Sequence, residues 1–465
     1  MDVTAINPAT GQTVKVYRET AAAEVTAAIE RAHETWKSWR GKPFAERAVL
    51  MRKAASVLRS RKDSLARLMA SEMGKPLNQG VAEVEKCAWC CEYYADNAEA
   101  FLAPQDVKTE AARSYVAFDP VGVVLAVMPW NFPLWQVFRF AAPGLMAGNV
   151  ALLKHASNVP GSALAIEEVF REAGFPEGCF RTLLISSGAV KSVIEHPLVR
   201  AVTLTGSTPA GRAVASQAGH VLKKTVLELG GSDAYLVLHD ADIEAAAVTC
   251  VNSRLINGGQ SCISAKRFIV ESPVLKVFTD RFVALMKARK VGDPFAEGTD
   301  VGPLARRDLR DNLHDQVRRS VAGGAKLLLG GEVPAGEGAY YPPTVLANVK
   351  PGNPAFDEEL FGPVAAIIEA KDEHEAIALA NASAFGLGSA VFSKDLVRAE
   401  RVARQIEAGD THVNSFVTSD PRLPFGGVKE SGYGRELGAF GIREFVNIKT
   451  IYIKEAPHTG AMVSE

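Results

Sequence analysis

The sequence predicts an α/β fold built on parallel sheets, and three observations carry this. Short apolar runs at residues 121–127, 150–154, 201–205 and 225–229 have strand length, and each ends on a Gly, Pro or polar cluster that opens the next element. Helical stretches alternate with these runs, the pattern of parallel strands joined by crossover helices. A second set follows, with helix-like stretches at 243–255, 275–290 and 309–322 and strand-like ones at 268–270, 326–329 and 364–368. At 465 residues the chain is long enough for two or three domains.

Taken in order, residues 20–100 are rich in Ala, Glu, Arg, Lys and Leu with helical periodicity. Long helices are expected at 45–73 and 81–101, separated by the stop signal Gly74-Lys75-Pro76. Ser114-Tyr115-Val116-Ala117-Phe118 alternates like half of a hairpin standing off the main body, and residues 445–453 read as a strand able to pair with it. Gly and Pro clusters at 292–303, 330–343 and 351–354 mark long surface connections, and 455–465 reads as a loose tail.

With 52 basic against 53 acidic residues there is no electrostatic case for nucleic acid or an acidic membrane as partner. Residues 1–8 carry neither a basic region nor an apolar stretch of signal-peptide length, and the run 121–128 is too short to span a bilayer. The expectation is a cytoplasmic protein. Six cysteines are too sparse for a disulfide framework, and the C-x-x-C at Cys87–Cys90 continues a helical pattern, so it reads as core packing. No metal constellation appears.

The chemistry-bearing stretches lie at strand ends, where open α/β sheets bind ligands. Asn257-Gly258-Gly259-Gln260-Ser261-Cys262 presents a single thiol after two glycines; it reads either as a nucleophile near main-chain N–H donors or as a buried structural cysteine. Asn131, set between Pro129 and Pro133, is a rigid amide donor for an oxyanion or an ordinary turn residue. Lys154 closes the run 150–154 and can hold a ribose hydroxyl or phosphate, or simply be solvated. Gly206 and Ser207 precede a helix start able to face a pyrophosphate, although the G-x-G-x-x-G spacing is absent. Glu228, a lone carboxylate in an apolar run before Gly230-Gly231, is a general base or a member of a structural ion pair. Glu358-Glu359-Leu360-Phe361-Gly362-Pro363 is a further acidic–aromatic turn.

Together these stretches, with Pro424–Glu436 (PFGGVKESGYGRE), resemble the aldehyde dehydrogenase superfamily from about residue 5 to residue 454. The resemblance implies that Cys262 attacks the aldehyde, that Asn131 and the Cys262 backbone N–H hold the oxyanion, and that Glu228 activates water against the thioester. It places Lys154 and Glu359 on the two riboses, Phe361 beside the nicotinamide ribose, Gly206 and Ser207 near the pyrophosphate, and Pro129 and Trp130 along the cofactor. The implied architecture is a Rossmann-like cofactor domain (1–105 and 119–229), an α/β catalytic domain (230–432) and a small β oligomerisation element (106–118 and 433–454). A homodimer or homotetramer is expected through that element.

Members that prefer NAD often carry a glutamate three residues after the lysine, where this chain has Ser157. Losing that carboxylate removes repulsion against a 2′-phosphate, so NADP is the expected cofactor, with NAD the alternative. Within the family the chain resembles bacterial, including cyanobacterial, succinate-semialdehyde dehydrogenases through Trp130–Phe140, Leu153–Ser157 and Ser419–Arg422. Trp135 and Arg139 follow Asn131 by four and eight residues and would share a helix face. Arg139 is read as the group that meets a distal substrate carboxylate, with pairing to a local acid as the alternative, and Ser261 and Ser419 as further contacts. Other aldehydes (glutarate semialdehyde, lactaldehyde, aromatic ones) and a non-catalytic relative are the competing readings.

Overall fold

The computed structural model describes residues 2–455; residues 456–465, most of the expected tail, lie outside them. Two sheets carry the chain. The first has the strand order Gly432–Tyr433, Lys224–Glu228, Val199–Thr205, Val123–Met128, Val150–His155, Phe180–Thr182, and all its members are parallel except Gly432–Tyr433. The chain enters at Val123–Met128, builds outward to one side, then crosses back to build on the other. That reversal opens a crevice between the carboxyl ends of Val123–Met128 and Val199–Thr205, the place where such sheets accept ligands. All six residues of Val150–His155 are buried, as expected of a strand covered by helices on both faces.

The second sheet runs Lys326–Leu329, Thr344–Ala347, Val364–Ala370, Arg267–Glu271, Ala234–Val237, Gly388–Phe392, Asp410–Val413, parallel except at its first edge strand. Of these, Ala234–Val237, Thr344–Ala347, Gly388–Phe392 and Asp410–Val413 escape the sequence reading. Each is only four or five residues long, and an apolar run that short gives little period to read.

The long helix expected at 45–73 is broken into Phe44–Ser60 and Lys62–Met73 by Arg61 (φ −105°, ψ 7°). Gly74 ends the second piece in the left-handed conformation (φ 77°), and Leu77–Phe101 follows. Cys87, Cys90 and Cys91 lie on that helix as fully buried free thiols in the hydrophobic core, where their packing is that of small apolar side chains.

Arg113–Pro120 pairs antiparallel with Val446–Ile453 over eight residues, the partnership expected of these two segments, and Gln105–Asp106 flanks it. Gly432–Tyr433 lies across the end of Lys224–Glu228, with Gly432 opposite Glu228. Gly432 has φ 110°, and a Cβ there would sit 2.0 Å from the Leu227 carbonyl oxygen, so only glycine lets this strand close over Glu228. No helix among the described residues is long and apolar enough to cross a membrane.

Candidate active site

The helix Ile243–Leu255 runs into a tight turn in which Asn257, Gly258 and Gly259 all take left-handed backbone angles (φ 54°, 63° and 77°). Two glycines adopt these at no steric cost, and asparagine tolerates them better than most residues. The turn is pressed against other backbone. A Cβ on Gly259 would lie 2.2 Å from the Gly362 carbonyl oxygen. Asn257 Nδ2 donates to the carbonyls of Asn131 (2.7 Å) and Gln260 (3.1 Å), and Gln260 Oε1 accepts from Ala305 N–H (2.8 Å). Beneath the turn the buried Lys266 ammonium donates to the carbonyls of Ser261 (2.8 Å) and Cys262 (2.5 Å), with Glu359 at 3.4 Å. Backbone and side chain together fix the direction of Cys262.

Cys262 is the one cysteine of the described residues that is not fully buried. It stands where two cavities meet. One, about 260 Å³, is lined by Pro129, Trp130, Asn131, Gly206, Ser207, Glu359 and Phe361, among others. The other, about 190 Å³, is lined by Trp135, Arg139, Ser261, Ser419 and Lys86, among others. Asn131 Nδ2 donates to Gln260 O at 3.1 Å, which orients the amide while leaving its second N–H free for an oxygen beside Cys262. Burial pushes the Cys262 thiol up to about 12, with the Lys266 and Arg139 charges opposing the rise.

Glu228 ends the strand Lys224–Glu228 but lines neither cavity; its carboxylate lies near Gly426, where a Cβ would come within 2.7 Å of Oε1. Both its oxygens are buried without a hydrogen-bond partner. Burial holds its pKa well above the ordinary carboxylate range; Arg139 opposes this, while Glu436 and Asp410 add to it. A carboxylate held this way accepts a proton readily, the property wanted in a base.

The first cavity opens along the crevice of the first sheet. Gly206 and Ser207 lead into the helix Thr208–His220, whose first-turn N–H groups suit a pyrophosphate. The Phe361 and Trp130 rings pack edge to face (5.7 Å) on its wall, and Glu359 accepts from Gly231 N–H at 3.1 Å. Lys154 is the last residue but one of Val150–His155, nearly buried and with no ion pair among the described residues. Ser157 is exposed and, with Asn158, lines a larger cavity of about 810 Å³ that also takes in Arg306 and Arg307. Both polar atoms of the Asn158 amide are buried without partners. Free donors, a free cation and no carboxylate at position 157 fit a dinucleotide bearing an extra phosphate.

Trp135 and Arg139, from the helix Trp135–Met146, line the second cavity with Ser261 and Ser419 from two separate loops. Arg139, read as the group that meets a distal substrate carboxylate with pairing to a local acid as the alternative, lines this cavity and also has such an acid. Its guanidinium is ion-paired with the buried Glu436, stacks over Phe425 at 4.7 Å and reaches Thr205 Oγ1 at 3.4 Å. The local acid comes from the glycine-rich segment near the C-terminus, a partner no spacing in the sequence announces. Three residues went unread: Glu436, Lys266 and Lys86. Lys86 lies three residues after Glu83 in a mixed helical stretch, where its letter looks like any solvated lysine.

The profile of the Aldehyde dehydrogenase family matches residues 1–451. The chain is 51% identical over 453 residues to the Synechocystis sp. protein that carries the name Probable succinate-semialdehyde dehydrogenase (NADP+), covering 97% of this chain and 100% of the relative. It is 52% identical over 457 residues to a Mycobacterium avium succinate-semialdehyde dehydrogenase (NADP+), covering 97% of each. Among solved structures, the Streptococcus pyogenes succinic semialdehyde dehydrogenase in complex with NADP+ superposes with a TM-score of 0.95 at 40% identity, over 97% of this chain and 100% of that one.

The raised thiol of Cys262 sets a pH dependence. Because the thiolate is the reactive form, its fraction below the pKa grows about tenfold per pH unit. Alkylation by iodoacetamide in the cofactor-free protein should therefore climb without a plateau from about pH 6 to about pH 9. Mass spectrometry should place the label on Cys262, since the other five cysteines are fully buried. A plateau near neutrality would show a thiol pulled down instead.

Proposed function

Since this chain belongs to the aldehyde dehydrogenase family, we propose that it oxidises succinate semialdehyde to succinate with NADP+ as hydride acceptor. The observation that carries this is the position of Cys262 at the junction of two cavities, one along the sheet crevice and one reaching Trp135 and Ser419. A thiol there can touch an aldehyde arriving from one side and present its carbon to a nicotinamide on the other.

The Cys262 sulfur adds to the aldehyde carbon and the thiol proton passes to solvent. The free N–H of Asn131 and the Cys262 backbone N–H stabilise the oxyanion of the thiohemiacetal. The hydride leaving this carbon would be accepted by NADP+ when bound, which would turn the carbon into a thioester carbonyl. Glu228 takes a proton from water, which attacks the thioester, releases succinate and returns the thiol. Lys154, Ser157, Gly206, Ser207, Glu359 and Phe361 hold the cofactor, and Ser157 admits the 2′-phosphate. The protein works as a homodimer or homotetramer through Val446–Ile453, an edge strand with Ile448, Tyr452 and Ile453 exposed.

Kinetics with succinate semialdehyde test the cofactor reading first. The native protein should favour NADP over NAD, and Ser157→Glu should cut kcat/KM for NADP by about 10–100-fold while sparing NAD, through like-charge repulsion. A native preference for NAD overturns the Ser157 argument. Glu228→Gln should still reduce about one equivalent of cofactor per site in a burst, then turn over at least ~100-fold more slowly; loss of the burst would place Glu228 before hydride transfer. Light scattering of the full chain should give a dimer or tetramer mass, and a monomer would remove the role given to the edge strand.

A further inference from the structure

One buried charge beside the thiol has no part in the steps assigned to Cys262, Asn131 and Glu228. Lys266 is fully buried and leads into the strand Arg267–Glu271. Its backbone N–H donates to Asp233 O at 3.1 Å and its carbonyl accepts from Ala366 N–H at 2.9 Å, so the side chain is aimed from a fixed base. The ammonium reaches back under the turn to the carbonyls of Ser261 (2.8 Å) and Cys262 (2.5 Å). Glu359 Oε1 stands 3.4 Å from the same nitrogen. Three acceptors match the three donors of a charged lysine, whereas a neutral amine offers only two.

The preceding carbonyls are held in the same manner. Arg254 Nη2 donates to Gly259 O at 2.6 Å, and Asn131 and Asn257 both donate to Gln260 O at 3.1 Å. Every carbonyl oxygen from Gly259 to Cys262 is thus drawn to a side-chain donor. In a trans peptide the C=O and the following N–H point in opposite directions, so fixing the Ser261 carbonyl on Lys266 turns the Cys262 N–H away from it. That N–H has no acceptor among the described residues. A cation on the carbonyl oxygen also draws electron density through the amide, which makes the N–H a stronger donor.

The charged groups around Lys266 are Glu359, Asp233 and Arg254; those around the Cys262 thiol are Lys266, Arg139, Glu359 and Asp233. Burial pulls the Lys266 ammonium down, while Glu359 and Asp233 hold it up. Arg254 is engaged at Gly259 O, Arg139 at Glu436, and Asp233 at Gly388 N–H (3.1 Å). Lys266 is the cation that touches the Ser261–Cys262 peptide.

We infer that Lys266 is a positioning residue of the oxyanion hole, which polarises the Ser261–Cys262 peptide and so strengthens the Cys262 N–H as donor to the thiohemiacetal oxygen. This rests on the reading of Cys262 as the nucleophile and of its backbone N–H as an oxyanion donor. As the sulfur–carbon bond forms, the π pair of the aldehyde C=O becomes the negative charge on oxygen. The charge of Lys266 acts on that oxygen through the peptide, without contact with the substrate.

The test separates the oxyanion from the thiol. Alkylation of Cys262 by iodoacetamide needs the thiolate but forms no oxyanion, whereas the NADPH burst on an aldehyde needs both. Native protein, Lys266→Met and Lys266→Gln are compared as full-length chains, with the burst measured at saturating NADP+ and succinate semialdehyde. In Lys266→Met the burst rate should fall about 10–100-fold further than the alkylation rate. Lys266→Gln, which keeps an uncharged N–H donor, should recover part of that difference, and it carries the comparison if Lys266→Met does not fold. Equal losses in burst and alkylation would leave Lys266 as a support of the thiol alone and overturn the inference. A native ratio of the two rates in either variant would overturn it as well. A native burst on another aldehyde but not on succinate semialdehyde removes the substrate reading alone, and the same ratio, read on that aldehyde, decides the role of Lys266. If the native protein gives no burst with any aldehyde, the nucleophile reading and the role of Lys266 fall together.

Discussion

The site depends on the close approach of one backbone to another at Gly259. The turn at Asn257, Gly258 and Gly259 fits against Gly362 only because no side chain stands between them. Three left-handed residues in succession are unfavourable for an ordinary chain, so the surroundings must over-determine the turn. They do so through Asn257 on the Asn131 carbonyl, Gln260 on Ala305 and Lys266 beneath. Each bond ties the thiol to a different part of the chain. Cys262 is therefore fixed relative to Asn131 from the first sheet and Phe361 from the loop before Val364–Ala370, and neither sheet alone defines the site.

A second layer of organisation is electrostatic. Glu228, Arg139 and Glu436 are all buried, and in a low-dielectric interior removing Arg139 or Glu436 would leave the other unpaired at high cost. Arg139 carries the charge that answers Glu436. Its position explains why a nearby carboxylate such as Glu228 can be buried at all while keeping a raised pKa. The glycine-rich stretch Gly426–Gly434 supports this arrangement from the far end of the chain: Gly432 crosses the Glu228 strand, and Glu436 brings the counter-charge. One segment thus sets both the backbone and the charge around the base.

The two cavities divide the labour by their walls. The crevice side offers helix N–H groups, aromatic edges and free donors, suited to a long charged dinucleotide. The opposite side is smaller, and its wall mixes aromatic and aliphatic side chains with polar and charged ones, suited to a short substrate with a polar end.

By itself the sequence determined the α/β class, because strands and helices alternate with clear periods, and the positions of Cys262, Asn131 and Glu228, because each sits at a strand end or turn with its own local signature. The strand pairing of 113–120 with 446–453 was also legible, since 114–118 alternates and 445–453 reads as a strand able to pair with it. Four short strands of the second sheet were not, for want of enough residues to show a period. Tertiary structure alone decided the fate of the lone charges. Arg139, Lys86 and Lys266 are single letters on unremarkable stretches, and which of them meets Glu436, Ser419 or the Cys262 carbonyl depends on segments up to 333 residues away. A charge reveals its role only through its partner, and long-range partners are set by packing, which leaves no periodic mark in the chain.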